Sequence, residues 1–237
     1  MKELHDRARR RHSRVLGISL FLLCTVSSTF GADRGSDALR FEASRHQLCF
    51  DRSGYAAVTA NHALDVRFVG TRGASPVAPS RAPGAAAFER VVYPDVWDGI
   101  DVRFDATDRG ILRSTYRLEA GVSPDTILLS YNAPVRIDDG RLLASFATGE
   151  ISESAPIAWQ VIDGRSVSVA VRFELRGANR VGFAVDGHDP RYPLTIDPVT
   201  VWNTFLGGSG DDYGDAVAID ASGNFYVGGS SDGAWGT

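Results

Sequence analysis

The run Leu64-Asp65-Val66-Arg67-Phe68-Val69 decides the fold, because apolar and charged side chains alternate along it. Successive side chains of a β-strand point to opposite faces of the sheet, so every second residue shares a face. The apolar residues at 64, 66 and 68 would then face a core, while Asp65 and Arg67 face solvent. The run is therefore predicted to be a half-buried strand.

Similar short runs, separated by turn residues, fill most of residues 46–200. Asp139-Gly140 and Asp163-Gly164 each separate two such runs, and an Asp-Gly pair is a strong hairpin signal. Residues 71–87 carry several prolines and are expected to form a loop, since proline lacks the donor that a sheet requires. Many short strands with frequent turns are typical of a sandwich or an open barrel. The further strands are predicted at residues 46–50, 56–59, 89–93, 100–104, 112–118, 126–131, 135–137, 142–146, 157–162, 166–175 and 181–185.

The fold class predicted from these runs is all-β, with a sandwich-like β domain over residues 38–200. Two facing sheets are the simplest way to bury the apolar stripes of many strands. The residues expected in the core are Leu64, Val66, Phe68, Val102, Phe104, Tyr116, Leu118, Leu128, Trp159, Val161, Val171 and Phe173.

The N-terminus has the features of an export signal. Residues 1–14 carry six basic and two acidic side chains, and an uncharged, mostly apolar run follows from Val15 to Val26. Small residues then lead to Gly31. A basic segment, a short apolar core and small residues before the cleavage point define a signal peptide. We expect residues 1–31 to be removed on export, and the alternative is an uncleaved membrane anchor.

Removal of that segment would change the net charge of the whole chain from −4 to −8. An acidic protein without a basic patch is not expected to bind nucleic acid. Cys24 would leave with the signal, so Cys49 would have no partner for an internal disulfide. Cys49 lies in an apolar stretch and is expected to be a buried structural residue. The alternatives are a reactive thiol and an intermolecular bridge.

The character of the sequence changes at Val201, after which Gly, Asp and Ser dominate. Strands at residues 216–220 and 224–228, joined by Ala221-Ser222-Gly223, would form one hairpin. The stretch contains Thr204-Phe205-Leu206-Gly207-Gly208 and, further on, Ala218-Ile219-Asp220-Ala221-Ser222-Gly223-Asn224-Phe225-Tyr226-Val227. In both segments it resembles the SBBP β-propeller repeat. The resemblance implies that residues 201–237 are one incomplete propeller blade.

The preceding residues resemble the uncharacterised domain that commonly precedes such repeats in secreted bacterial proteins. The matching segments are Val92–Val102, Trp159–Gly164 and Pro193–Val199. Members of that family carry many repeats, whereas this sequence shows one, and repeat units need neighbours to bury their faces. We therefore expect a truncated propeller array whose last part, residues 201–237, contributes little to stability.

Some residue patterns match chemical motifs, and each also has a structural interpretation. Asp95, Asp98 and Asp101 form a carboxylate cluster that could serve acid-base chemistry or a metal, but turn formation explains the three residues as well. The stretch 207–212 resembles the start of a calcium-binding repeat, and it occurs once, where stacked copies would be needed. Gly229-Ser230-Ser231-Asp232-Gly233 matches a nucleophile elbow only as a string, since no His follows it.

No catalytic, cofactor-binding or metal-binding residue is therefore assigned, and neither an enzyme nor a cofactor is predicted. His62 and His188 have no partner at zinc-site spacing. We expect a non-catalytic scaffold or binding protein outside the cytoplasm, whether secreted, periplasmic or on the cell surface. It would have an unknown protein or glycan ligand and no stable membrane span once the signal is removed. The alternative is a secreted carbohydrate-active enzyme that uses Asp95, Asp98 and Asp101.

Overall fold

Strands make up almost all of the regular structure in the described part of the chain. The computed structural model describes residues 37–42, 46–58, 63–78, 88–107, 111–147, 149–204, 212–219 and 225–231. Within these residues the elements are strands, apart from one 3₁₀ turn at Pro124–Thr126. The all-β prediction is confirmed. The strands, in chain order, are β1 (Leu39–Glu42), β2 (Gln47–Asp51), β3 (Gly54–Val58), β4 (Ala63–Phe68), β5 (Arg90–Trp97), β6 (Ile100–Asp105), β7 (Leu112–Leu118), β8 (Leu129–Tyr131), β9 (Val135–Asp138), β10 (Arg141–Phe146), β11 (Gly149–Glu153), β12 (Ile157–Ile162), β13 (Arg165–Leu175), β14 (Arg180–Asp186), β15 (Leu194–Asp197), β16 (Val199–Thr204), β17 (Asp212–Ile219) and β18 (Phe225–Ser231).

The strands β1 to β16 form one continuous antiparallel sheet. Its main path runs β1-β2-β3-β4-β8-β14-β13-β12-β15-β7-β16-β11-β10-β9, and β6 joins it by pairing with β7 and with β5. The long strand β13 connects the two halves of this sheet. Its residues 165–169 pair with β12, and its residues 170–175 pair with β14. One half therefore contains β1 to β4, β8 and β14, and the other contains β5 to β7, β9 to β12, β15 and β16.

The two halves meet through a single apolar core, to which strands of both contribute. Phe50 and Tyr55 of the first half pack against Phe104 of the second, with ring centroids 5.4 and 4.9 Å apart. The hydroxyl of buried Tyr93 donates a hydrogen bond of 2.8 Å to the carbonyl of Gly54, which also joins the halves. Burying a large apolar side chain contributes about 1.5–3 kcal/mol, so the shared core holds the sheet folded on itself.

The Asp-Gly pairs form the hairpin turns that the sequence predicted. Asp139 and Gly140 join β9 to β10 with φ angles of 47° and 75°, and Asp163 and Gly164 join β12 to β13 with 49° and 76°. Two successive residues with positive φ match the right-handed twist of the flanking strands, and Asp followed by Gly tolerates this conformation best.

Most of the predicted core residues are buried, but strand β12 faces the opposite way from the prediction. Trp159 is only half-buried and Val161 is 54% exposed, so their assignment to the core is wrong. Ala158 and Gln160 occupy the inner face of this strand instead. Leu128 is half-buried between buried Ile127 and Leu129, and Val171 packs partly against the core. The residues confirmed as buried are Leu64, Val66, Phe68, Val102, Phe104, Tyr116, Leu118 and Phe173.

The C-terminal part differs from the sequence-based division in one respect. Strand β16 crosses residue 200, and its residues 200–204 pair with β11 inside the main sheet. We therefore expect residues 201–204 to contribute to the stability of the main sheet, while the low contribution expected of the rest of residues 201–237 stays a prediction. The predicted hairpin is present as β17 and β18, which pair with each other in a separate two-stranded sheet.

Other predictions from the sequence concern segments that are only partly described. The predicted signal peptide, residues 1–31, lies outside the described residues, as does His62. The described part of the predicted loop, residues 71–78, contains a single β-bridge, from Val77 to Val92, and no strand. Cys49 is buried, as expected.

Candidate functional site

The carboxylates of Asp95 and Asp101 hold the turn between β5 and β6. The pairing of these strands is interrupted between Tyr93 and Trp97, and Asp95 has a φ of 51°. Its backbone N–H donates to Oδ1 of Asp101 at 2.9 Å, and its own Oδ1 accepts from the N–H of Gly99 at 2.8 Å. Asp tolerates the left-handed conformation and caps its own turn through such bonds. The two carboxylates therefore have a structural role in this hairpin.

Asp98, the third member of the predicted cluster, is exposed on the same turn. Asp95 and Asp98 line a cavity of about 470 Å³ together with Thr71, Arg72 and Thr126. Within the described part of the chain, no three His, Cys, Asp or Glu side chains lie close enough together to hold a metal ion. The calcium-like stretch 207–212 lies outside the described residues except for Asp212, and Ser231 of the elbow-like string ends strand β18.

A buried acidic residue that the sequence analysis missed lies in the core. Glu153 is only 4% exposed, and its Oε1 accepts a hydrogen bond of 2.7 Å from the hydroxyl of Tyr131. Burial disfavours the charged carboxylate and raises the pKa of Glu153 to about 7, although the bond from Tyr131 acts in the opposite direction. Burial, followed by the charge of Glu153, raises the pKa of the neighbouring Tyr116 and Tyr131. Because Glu153 is enclosed by the core, it has no access to a ligand from solvent.

The strand pattern contained a signal for this residue. Gly149, Ile151 and Glu153 are alternate residues of β11, and all three are buried. Every second residue of a strand shares a face. The apolar Ile151 therefore indicates that Glu153 points into the core.

A groove on the outer face of the sheet brings together residues from five strands. Asp101 of β6 lies opposite Arg117 of β7, and Arg117 lies opposite Thr195 of β15. Thr195 in turn lies opposite Trp159 of β12. Neighbouring strands are about 4.8 Å apart, so this row of four side chains extends over about 14 Å. A groove of about 350 Å³ is lined by Val92, Asp101, Arg103, Thr115, Arg117, Trp159 and Thr195.

Gln160 explains why Trp159 lies on this outer face. Its Nε2 donates to the carbonyls of Asp189 and Tyr192 at 2.8 and 2.9 Å, and its Oε1 accepts from the N–H of Asp189 at 2.8 Å. These bonds satisfy a side chain that is only 2% exposed and hold the segment before β15. With Gln160 fixed on the inner face, the pleat of the strand places Trp159 on the outer one.

The polar groups of the groove differ in how they are engaged. Asp101 accepts the bond from Asp95, and the Nε of Arg103 donates to Oδ2 of Asp105 at 2.6 Å. The guanidinium of Arg117 forms no ion pair or hydrogen bond with any residue that the structure describes. Thr115 is 7% exposed, and its Oγ1 has no hydrogen-bond partner within the described residues. The exposed guanidinium of Arg117 thus leaves donors available in the groove, while Thr115 contributes a buried hydroxyl without a partner.

In the described part of the chain, no helix has the length and apolar character that crossing a membrane requires.

Comparisons with known proteins place the main sheet in a family. The comparison with curated proteins and the comparison with solved structures each gave no match. A family model described as "Domain of unknown function (DUF7948)" matches residues 42–199, which include strands β2 to β15. The chain therefore belongs to the DUF7948 family.

Proposed function

We propose that this chain is a non-catalytic binding protein that acts outside the cytoplasm, as a secreted, periplasmic or cell-surface scaffold. The observation that carries the proposal is the bonding of Asp95 and Asp101. Both carboxylates accept backbone hydrogen bonds within their own turn, so they serve the hairpin and are poorly placed to exchange protons with a substrate.

The location follows from the N-terminal sequence. A basic segment followed by a short apolar run is typical of export, and the acidic remainder of the chain is unsuited to nucleic acid. The similarity of residues 201–230 to the SBBP repeat supports the same location, because such repeats occur in secreted proteins. On this proposal β17 and β18 are the hairpin of one propeller blade attached to the DUF7948 domain.

The alternative function is a secreted carbohydrate-active enzyme. One observation favours it, namely that Asp95 and Asp98 line a cavity of about 470 Å³. Glycosidases need two carboxylates that flank the scissile bond, one of which donates a proton. Asp95 is held by the N–H of Gly99, which leaves exposed Asp98 as the better candidate for that role.

A turnover assay separates the two functions. The purified chain is incubated with polygalacturonate and with the neutral glucan laminarin, and new reducing ends are measured over time. The proposal predicts no release above that of a heat-denatured sample. Sustained release that is lost in the Asp98→Asn variant would overturn it in favour of the enzyme. Asp98 is exposed on the turn, so this variant is expected to fold normally.

A further inference from the structure

We infer that the outer-face groove around Trp159 and Arg117 binds a polysaccharide that carries carboxylate groups, with a sugar ring stacked on Trp159. This inference rests on the proposed function, because it names the ligand class and the surface of a non-catalytic binding protein. It uses side chains from β5, β6, β7, β12 and β15, which the main sheet holds in fixed register.

The position of Trp159 supports a sugar as the ligand. Trp159 is half-buried beside a groove, whereas aromatic residues such as Tyr93 and Phe104 are buried in the core. An indole ring has a broad apolar face and a polar N–H, which suits it to surfaces that are partly apolar and partly wet. The C–H face of a pyranose ring has the same mixed character, with hydroxyl groups around its edge.

The size of the groove is that of a site for a small ligand or a short chain of sugars. A volume of about 350 Å³ lies at the lower end of the range for small-ligand sites, about 300–1,000 Å³. A row of about 14 Å across four strands is long enough for a few linked sugars. The dimensions therefore fit a short chain of sugars.

The charged side chains that line the groove indicate the charge of the ligand. The groove contains two arginines and one aspartate in a chain whose net charge is −4. Arg103 is bonded to Asp105, whereas Arg117 has no partner among the described residues and can pair with a carboxylate through two parallel hydrogen bonds. Arg117 is therefore the residue of the groove that favours a ligand with negative charge.

The test compares the binding of two polysaccharides by matched variants. Isothermal titration calorimetry measures the affinity of the full chain for oligogalacturonate and for neutral laminarin oligosaccharides. Trp159→Ala and Arg117→Ala alter the groove. Val161→Ala, on the same face of β12 but outside the groove, and Arg165→Ala, an exposed arginine at the start of β13, are the controls. Circular dichroism confirms that each variant is folded, and Arg117→Lys provides a milder change at the same position.

The expected result is that oligogalacturonate binds and the neutral glucan binds at least about tenfold more weakly. Trp159→Ala and Arg117→Ala each lower the affinity for oligogalacturonate by about tenfold or more, and the two controls change it by less than about twofold. Arg117→Lys is expected to lose part of the affinity, because lysine cannot form the paired bonds of a guanidinium. High salt weakens binding of the wild type more than that of Arg117→Ala.

Other outcomes would overturn the inference in distinguishable ways. If the wild type, Trp159→Ala and Arg117→Ala bind oligogalacturonate equally, the groove is not the binding site. The binding function itself would not be contradicted by this result. Equal affinity for the neutral glucan would refute the assignment of a charged ligand. A dimer of the chain that dissociates in Trp159→Ala would show that a second copy covers this face. Release of reducing ends from oligogalacturonate would overturn the non-catalytic function itself.

Discussion

Replacing Glu153 with glutamine should remove a specific dependence of stability on pH. In the folded chain burial raises the pKa of Glu153 from 4.5 to about 7, while the unfolded chain restores the ordinary value. Between these values the folded state binds one proton more than the unfolded state. The free energy of unfolding therefore falls by about 1.4 kcal/mol for each pH unit as the pH rises through this window. Over the whole window the loss is about 3 kcal/mol.

The Glu153→Gln variant cannot titrate at this position, so its free energy of unfolding lacks this decrease with rising pH. The difference in stability, variant minus wild type, should rise by about 3 kcal/mol between about pH 4 and about pH 8. A glutamine amide still accepts the bond from Tyr131, and any cost of its extra N–H groups is the same at every pH. All other titrating groups are common to both proteins, so their contributions cancel in the difference.

Urea denaturation of the two proteins over that pH range measures this difference directly. Tyr131→Phe is the matched variant. It removes the bond that lowers the pKa of Glu153, so the window should extend to higher pH. Parallel stability curves for the wild type and Glu153→Gln would contradict the prediction, because they would mean that Glu153 is not buried as a neutral group.

The remaining predictions concern the C-terminal strand, the β5–β6 turn and the N-terminus. Ending the chain after Thr204 should leave the melting temperature of the main sheet nearly unchanged in differential scanning calorimetry. Ending it after Val199 removes the residues that pair with β11, so the melting temperature should fall by several degrees. Asp101→Ala should cost about 1 kcal/mol in urea denaturation because the N–H of Asp95 loses its acceptor, while Asp98→Ala on the same turn should cost almost nothing. N-terminal sequencing of exported protein should find a start close to Ala32, and a start at Met1 would contradict cleavage.

Alternation along the sequence was sufficient to predict most strands and much of the core. Residues 64–68 alternate between apolar and charged types, so only one choice of inner face avoids burying charge. Leu64, Val66 and Phe68 are buried accordingly. The Asp-Gly turns were predictable for a different reason, since few residue pairs accept two successive positive φ angles.

Strand β12 shows where this reasoning fails. Both faces of the strand carry apolar residues, Ile157, Trp159 and Val161 on one face and Ala158 and Ile162 on the other. Periodicity alone cannot decide between two such faces. The deciding factor is the set of bonds that Gln160 forms with the backbone at Asp189 and Tyr192, about thirty residues later in the chain. The candidate groove was missed because it depends on that choice and on the order of five strands in the sheet.

The change of composition at Val201 falls inside a strand of the main sheet, and the sequence did not indicate this. The change in composition at Val201 is real, but hydrogen bonding between strands does not follow composition. Residues 200–204 complete β16, which lies between β7 and β11. A sequence pattern indicates that a strand is present and does not identify its partners.

The indole N–H signals of the tryptophans test most directly whether a carboxylate-bearing sugar stacks on Trp159. Oligogalacturonate is titrated into ¹⁵N-labelled protein, and the Trp159 signal is identified by its absence in Trp159→Phe. Trp97 is the internal reference, because its ring is buried and its N–H is bonded to the carbonyl of Val69 at 2.8 Å. We predict a saturable shift of the Trp159 signal and an unchanged Trp97 signal. A Trp159 signal that stays in place while the protein binds the sugar would contradict stacking of the sugar on Trp159.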